Sequence, residues 1–329
     1  MVPSKPTNVQ RPRRERFTGP VRKVFLFADT KKEGVRAILT DVVAYLEKRC
    51  ESLLVHRDLR KQCELLRKRG ITPEELPDII VVLGGDGSIL TVVRAFQALP
   101  VPTLGINLGR IGFLASVRSD AWRAAIDEVF NGQAVLEPRM RLSAEMYTER
   151  DSRKASAVAL NDLLVQRGAA QGMMTLSLHD SGSWVSDYRA DGLIIASPSG
   201  STAHSLAAGG PIMAPSMRGL VATPISPQSL SHRPMVMHPN SVLEIGVVSA
   251  HGLVTVAVDG HGFYPMRQGD RVVVRQHPDT YPLLARPESD PYLRVRERLG
   301  WRGTFEPEPD MDLHDEPAAQ SDPGQGEML

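Results

Sequence analysis

The string Leu83-Gly-Gly-Asp-Gly-Ser88 follows a continuous apolar run and opens a stretch of helical spacing. Three glycines let a main chain approach a ligand closely. The N–H groups and positive end of a helix starting near Ser88 favour phosphate. Asp86 then places a carboxylate beside a phosphate site, an unfavourable pairing unless it has a task. Three tasks stay open: taking a proton from an attacking hydroxyl, holding Mg²⁺ against phosphates, or capping the helix. No Lys follows Gly87, so this is not a G-x-x-x-x-G-K-[ST] loop. The glycines at 105, 109 and 112 are spaced G-x-x-x-G-x-x-G, which is not the dinucleotide fingerprint.

A second dense region is Ser197-Pro-Ser-Gly-Ser-Thr202, preceded by the apolar residues 193–196 and followed by a short helical stretch ending at Gly209-Gly210-Pro211. Four hydroxyls crowd a helix N-terminus, where one suffices as a cap. The others point to polar ligand recognition or to an ordinary Ser-rich loop. No G-x-S-x-G elbow is present. Asn161-Asp162 interrupts an apolar segment between Val158 and Val165, as a bulge or turn or as a polar site. Asp259-Gly260 ends an apolar strand and has the signature of a hairpin turn. The histidines form no H-x-x-x-H pair and join no Cys cluster, which excludes a caged transition metal.

The elements that position these groups fall into two textures. Residues 21–138 alternate apolar runs (24–28, 52–55, 78–83, 103–106) with helical spacing (34–48, 59–69, 88–98, 119–130). That alternation predicts an α/β domain with a doubly wound parallel sheet. Ligands bind such sheets outside the carboxyl ends of the strands, where Gly84–Gly87 falls. Residues 139–287 carry short alternating segments, such as 174–179, 241–247, 253–258 and 271–275, and predict a C-terminal β-rich, sandwich-like domain. Residues 292–301 are amphipathic, and 288–303 form a last segment. Residues 1–20 are basic and Pro-rich and read as a disordered arm. Residues 304–329 are acidic and read as a disordered tail.

Composition excludes several classes. Lys and Arg number 39 against 38 Asp and Glu, so the chain lacks the basic excess of a dedicated nucleic-acid binder. Aromatic residues are 5%, too few for a stacking platform. No apolar run approaches the ~20 residues of a membrane span, and no secretory signal is read at the start. Cys50 and Cys63 make no disulfide framework. The expected compartment is the cytoplasm.

Taken in order, these segments resemble the NAD kinase family. Gly84-Gly-Asp-Gly-Ser88 is similar to its GGDG[TS] motif and Asn107-Leu-Gly-Arg-Ile-Gly-Phe-Leu114 to its NxGxxGFL segment. Asn161-Asp162 resembles its N-E/D pair. Asp191-Gly192 with the region 197–211 resembles its DG…TPTGSTAY…AGGP signature. Residues 225–234, Asp259-Gly260 and the closing segment 296–301 also match. The resemblance covers roughly residues 21–303. A lone GGDG is shared with lipid and sugar kinases of the wider superfamily, whereas the ordered series is specific.

The resemblance implies Mg²⁺-dependent phosphoryl transfer from ATP, or polyphosphate, to the adenosine 2′-hydroxyl of NAD, giving NADP, with Asp86 as general base. It implies a homo-oligomer, dimer or tetramer, and a last segment packed on the first domain. Its NAD contacts carry over to Asp86 and Gly87 at the reacting ribose and to Asn161 and Asp162 at the adenosine. They carry over to Arg189 and Asp191 at the other half of the dinucleotide, and to Thr202, Ala203, His204, Ser205, Leu206 and Ala207 on the adenine side. His261 is a further contact. Three positions depart from the family: Asp162 replaces the commoner Glu, Ser197 and Ser199 replace threonines, and His204 replaces a tyrosine. The alternatives are a lipid or sugar kinase of the superfamily, or a non-catalytic NAD-binding sensor.

Overall fold

The structure is a computed structural model that describes residues 14–56, 76–109, 112–168 and 172–301. The expected helix at 59–69, Cys63 and the acidic tail lie outside the described residues. So do positions 1–13 of the basic arm.

Strand Ile79–Leu83 is buried at every residue, as an apolar run of β-branched side chains in the middle of a sheet should be. It pairs in parallel with Lys23–Ala28 on one side and Thr103–Asn107 on the other. Alternate side chains leave on opposite faces, and each face is covered by helices. One face of this first sheet packs Val24, Leu26, Val81 and Leu83 against the helices Val35–Glu47 and Trp122–Phe130. The other packs Phe25, Ile80 and Val82 against Ile89, Val92 and Val93 of the helix Asp86–Ala95. Burying each such side chain contributes about 1.5–3 kcal/mol. The sheet is therefore doubly wound.

Its far edge departs from the expected division of the chain. Strand Tyr281–Ala285, which the sequence reading assigns to the β-rich region, lies in this first sheet. It runs parallel to Thr103–Asn107 and antiparallel to Val135–Arg139. An apolar five-residue strand carries no mark of which sheet it joins. The start of the chain also differs. Arg16 bridges Val135, Phe17 is buried, and the Phe17 N–H donates to the Ala134 carbonyl at 2.9 Å. Residues 14–17 are thus not a disordered arm. One aromatic side chain suffices to anchor them, which a composition argument overlooks.

The intervening residues form two six-stranded sheets, in strand order 183–190, 174–180, 243–249, 271–276, 142–147, 153–159 and order 235–237, 220–225, 192–196, 162–167, 254–258, 262–266. All their pairings are antiparallel. Their inner faces share one apolar core that includes Leu142, Leu163, Leu176, Leu193, Ile245, Val256 and Val272. This is the expected sandwich. The chain passes between its sheets six times, and Leu160-Asn161 and Asp191 are two of those crossings. Asn161-Asp162 is accordingly neither a bulge nor a hairpin turn but a change of sheet. The final helix, Pro291–Leu299, has Asp290 as its cap and Pro at its first turn, and ends at left-handed Gly300. No helix among the described residues is long and apolar enough to cross a membrane.

Candidate active site

Leu83 and Asn107 end adjacent parallel strands, so the loops that follow lie side by side at the carboxyl edge of the first sheet. The helix begins at Asp86 itself, with extended Gly85 before it and no side-chain cap. Asp86 is therefore not a helix cap. Its carboxylate turns across to the neighbouring loop and accepts three main-chain N–H groups: Phe113 at 2.9 Å, Leu114 at 3.1 Å and Ala115 at 3.0 Å. An ionised carboxylate has about four acceptor positions, so one remains for a ligand.

The close approach explains two glycines. A Cβ on Gly112 would stand 2.0 Å from Asp86 Oδ1, and one on Gly84 would stand 2.3 Å from Ser88 Oγ. Ser88 in turn donates to Asp29 Oδ2 at 3.0 Å, tying the helix start to the end of strand Lys23–Ala28. Asp86 opens onto a cleft of about 770 Å³, lined among others by Lys32, Glu33, Gly87, Asn107 and Arg298. Lys32 and Arg298 bring two cations to an otherwise carboxylate-bearing cleft.

A second aspartate repeats the device. Asp259 occupies the turn between Val254–Val258 and Gly262–Met266 at a left-handed φ of 47°, followed by Gly260 at 67°. The hairpin reading of Asp259-Gly260 thus holds for the backbone. Its carboxylate, however, accepts the N–H groups of Leu160 at 2.8 Å, Asn161 at 2.8 Å and Asp162 at 3.1 Å. Leu114 and Leu160 bury their side chains in one apolar cluster, so the two aspartate-held loops share a core.

Asn161 and Asp162 are both buried. Burial, and then the charge of Asp259, push the Asp162 carboxyl up to about 7. Burial also raises Asp259, against its three N–H donors. The Asn161 main chain is pressed against the serine loop: Ser197 N–H donates to its carbonyl at 2.8 Å, and a Cβ on Gly200 would lie 2.0 Å from that oxygen. Two buried polar atoms here have no partner, Asn161 Oδ1 and Ser199 Oγ. Buried polar groups are normally hydrogen-bonded, and these two retain unused hydrogen-bonding capacity.

The hydroxyl cluster divides unequally. Ser197 Oγ donates to the Leu160 carbonyl at 2.6 Å, Ser201 Oγ to Pro198 at 2.7 Å, and Thr202 Oγ1 to Ser199 at 3.0 Å. Ser201 and Thr202 thus tie their own loop, and Ser197 ties it to the Leu160-Asn161 crossing. Ser205 Oγ pairs with Thr223 Oγ1 at 2.9 Å. His204 and Ala207 on the four-residue helix His204–Ala207 are exposed, with Ala203 and Leu206 half-buried.

Arg189 and Asp191 are not gathered with these groups. Asp191 precedes strand Gly192–Ala196 and Ser197 follows it, a separation of roughly 20 Å at strand rise. Asp191 pairs with Arg167 at 2.7 Å, and Arg189 is exposed. His261 is exposed with Nδ1 2.8 Å from the Asp259 carbonyl. Gly87 is exposed at the cleft.

Comparison with known proteins identifies this arrangement. Residues 38–134 match the ATP-NAD kinase N-terminal domain and residues 160–285 the ATP-NAD kinase C-terminal domain. The NAD kinase of Nitrosomonas europaea is 34% identical over 288 residues, which is 87% of this chain and 97% of that protein. The chain belongs to the NAD kinase family. It is a kinase that phosphorylates NAD, which sets aside the lipid-kinase, sugar-kinase and sensor alternatives. Yeast NADH kinase, solved with NADH, superposes with a TM-score of 0.75 at 26% identity, over 90% of this chain and 94% of that one. An NAD kinase from Archaeoglobus fulgidus, solved with ATP, shares the fold with a TM-score of 0.63 at 22% identity, over 85% and 97% of the two chains.

Sequence reasoning named Asp86 and Asn161-Asp162 but missed the groups that hold them. The N–H donors at 113–115 are main chain and leave no side-chain signal. Gly112 was visible as part of a motif, without its reason. Lys32 and Glu33 carry no motif, Arg298 lies in the closing segment 296–301 without a role read for it, and Ser199 was not separable from its neighbours.

Proposed function

We propose that Asp86 is the general base for transfer of the ATP γ-phosphoryl group to the adenosine 2′-hydroxyl of NAD. The observation that carries this is the Asp86 carboxylate at the cleft, aimed by three main-chain donors with one acceptor position left. In the step, the 2′-oxygen forms a bond to the γ-phosphorus and the bond to the β–γ bridging oxygen breaks. ADP leaves with that electron pair, the 2′-hydroxyl proton passes to an Asp86 oxygen, and the products are NADP and ADP. A secondary hydroxyl is a poor nucleophile, and a positioned base is worth about 10²–10⁴-fold. The rest of the work is positioning and charge neutralisation, for which Lys32, Arg298 and the start of helix Asp86–Ala95 stand around the cleft.

The adenosine of NAD is assigned to Asn161, Asp162, Ser199 and the stretch from Thr202 to Ala207, where Asn161 Oδ1 and Ser199 Oγ offer unused acceptors. Ribose and adenine supply the matching donors. His204, exposed beside them, offers a ring to stack on the base, and His261 lies at the neighbouring turn.

Mg²⁺ fits this cleft as a companion of the nucleotide. No group of three or more His, Cys, Asp or Glu gathers to cage a metal among the described residues. Mg²⁺ commonly takes one or two carboxylates, water and substrate phosphates, and Glu33 is the cleft carboxylate besides Asp86. When bound, the ion neutralises charge on the phosphates. Turnover that persists in excess chelator would refute this.

Arg189 and Asp191 lie a strand length from the serine loop; the Arg189 carbonyl accepts the Gln228 N–H at 2.8 Å, and Leu230, two residues on, is exposed. We assign them to a contact completed by a second copy of the chain, which a monomer in sedimentation at assay concentration would contradict. The deciding assay is NADP formation from NAD with ATP and Mg²⁺, and in parallel with polyphosphate, for the parent and Asp86→Asn. Loss of turnover with NAD affinity kept within about tenfold is expected, since base catalysis rather than binding is removed. Full activity in Asp86→Asn removes Asp86 from the base role.

A further inference from the structure

Asp86 is aimed by main chain, so whatever fixes residues 113–115 fixes the base. The loop is closed on one side by the Gly112 N–H, which donates to the Ala115 carbonyl at 3.1 Å. On the other side it meets a guanidinium. Arg294, in the last helix and only 2% exposed, donates from Nη1 to the Phe113 carbonyl at 3.3 Å. The same guanidinium donates to both Glu137 oxygens at 3.1 Å and to Ser289 Oγ at 2.7 Å.

Glu137 is shared. Arg139 Nη2 donates to it at 2.7 Å, and Arg14 Nη1 lies 3.8 Å away while donating to the Ser289 carbonyl at 2.8 Å. Burial alone would raise the Glu137 carboxyl, but Arg294, Arg139 and Arg14 together hold it below its ordinary range. A buried ion cluster of this kind is weak evidence of stabilisation, because packed apolar side chains often do as well. Its geometry indicates another use. The Phe113 carbonyl and the Leu114 N–H belong to one planar trans peptide unit and point to opposite sides of it. Arg294 holds the oxygen end and Asp86 Oδ1 takes the hydrogen end. Fixing one end fixes the direction of the other.

We propose that Arg294 is a positioning residue for phosphoryl transfer. It fixes the 113–114 peptide unit, and through it the donors that aim Asp86, and it is itself set in place by Glu137, Ser289 and Arg14. The last helix and Arg14 thereby support catalysis without touching substrate. The proposal rests on the reading of Asp86 as base.

The test compares Asp86→Asn, Arg294→Met and Arg294→Lys in the full chain. Arg294→Met keeps bulk and removes the fork, while Arg139 and Arg14 still face Glu137. The expected result is a kcat lower by roughly ten- to hundredfold, the range for a misplacement of about 1 Å, with the KM for NAD within about twofold. Arg294→Lys should recover part of the loss. In both variants the amides of 113–115 should exchange hydrogen faster than in the parent. A folded Arg294→Met with parental kcat and parental exchange, beside an inactive Asp86→Asn, overturns the proposal and leaves the base intact. If Asp86→Asn is itself active, the base reading fails instead. Should Arg294→Met not fold, Arg294→Lys decides alone: parental kcat and exchange count against the proposal, reduced kcat with faster exchange supports it.

Discussion

Replacing Gly112 by Ala should separate catalysis from folding. The new Cβ would lie 2.0 Å from Asp86 Oδ1 and 2.7 Å from its Cγ, against an ordinary contact of 3.4 Å or more. Oδ1 and the loop must therefore part by about 1.4 Å, the difference between those two distances. Hydrogen bonds of 2.9–3.1 Å lengthened by that amount are no longer hydrogen bonds. Asp86 is half-buried and its carboxylate recovers contact with water, so the loss of stability should be about 1–3 kcal/mol. The loss of rate should be larger, on the order of 10²-fold in kcat, because the base leaves its line. Gly109→Ala is the control, since it lines the same cleft and its Cβ would meet nothing closer than Asn107 Oδ1 at 4.0 Å. The assay is NADP formation read by an NADP-specific dehydrogenase, with thermal unfolding of both variants. A Gly112→Ala enzyme within twofold of parental kcat would refute the argument, as would equal losses in the two variants.

Two further outcomes are expected. Asp162 carries a folded pKa of about 7 against an ordinary 3.8, from burial first and the Asp259 charge second. The native state therefore holds one proton more than the unfolded state between about pH 4 and pH 7. This group's contribution to stability is present below pH 4 and is lost as pH rises through 7, by up to on the order of 4 kcal/mol. Asp162→Asn lacks that loss and should gain relative stability from pH 5 to pH 8 in urea unfolding; an identical difference from the parent at both pH values would contradict the assignment. Gly200→Ala sets a Cβ 2.0 Å from the Asn161 carbonyl oxygen and 2.4 Å from its carbon, main-chain atoms with nowhere to swing. It should cost about 1–3 kcal/mol of stability and weaken NAD binding together, and an unchanged melting temperature with parental affinity would count against that packing.

Much of the fold was legible in the chain. The strand Ile79–Leu83 showed as an unbroken apolar run, and the helices Val35–Glu47 and Trp122–Phe130 showed as buried faces repeating every three or four residues. Those signals are local, because a strand buried on both faces or a half-buried helix states its environment in its own period. Tyr281–Ala285 was as apolar as its neighbours, yet its sheet depends on a pairing with residues nearly two hundred positions earlier. Residues 14–17 were polar enough to look unstructured, and it took Ala134 and Glu137 to order them.

The site divides along the same line. Sequence by itself determined the chemistry on offer: a carboxylate at a glycine loop, an Asn-Asp pair, a run of hydroxyls, and through their order the kinase family. Side-chain type and short spacing are enough for that. Tertiary structure decided what each group is free to do. It spent Ser201 and Thr202 on their own loop and Ser197 on the Leu160 carbonyl, and left Ser199 Oγ and Asn161 Oδ1 without partners. It turned Asp86 and Asp259 onto main-chain N–H groups and placed Arg294 behind one of those loops. Main-chain donors are identical at every residue but proline, so no sequence marks which three of them a carboxylate will find; only the packing of one loop against another does.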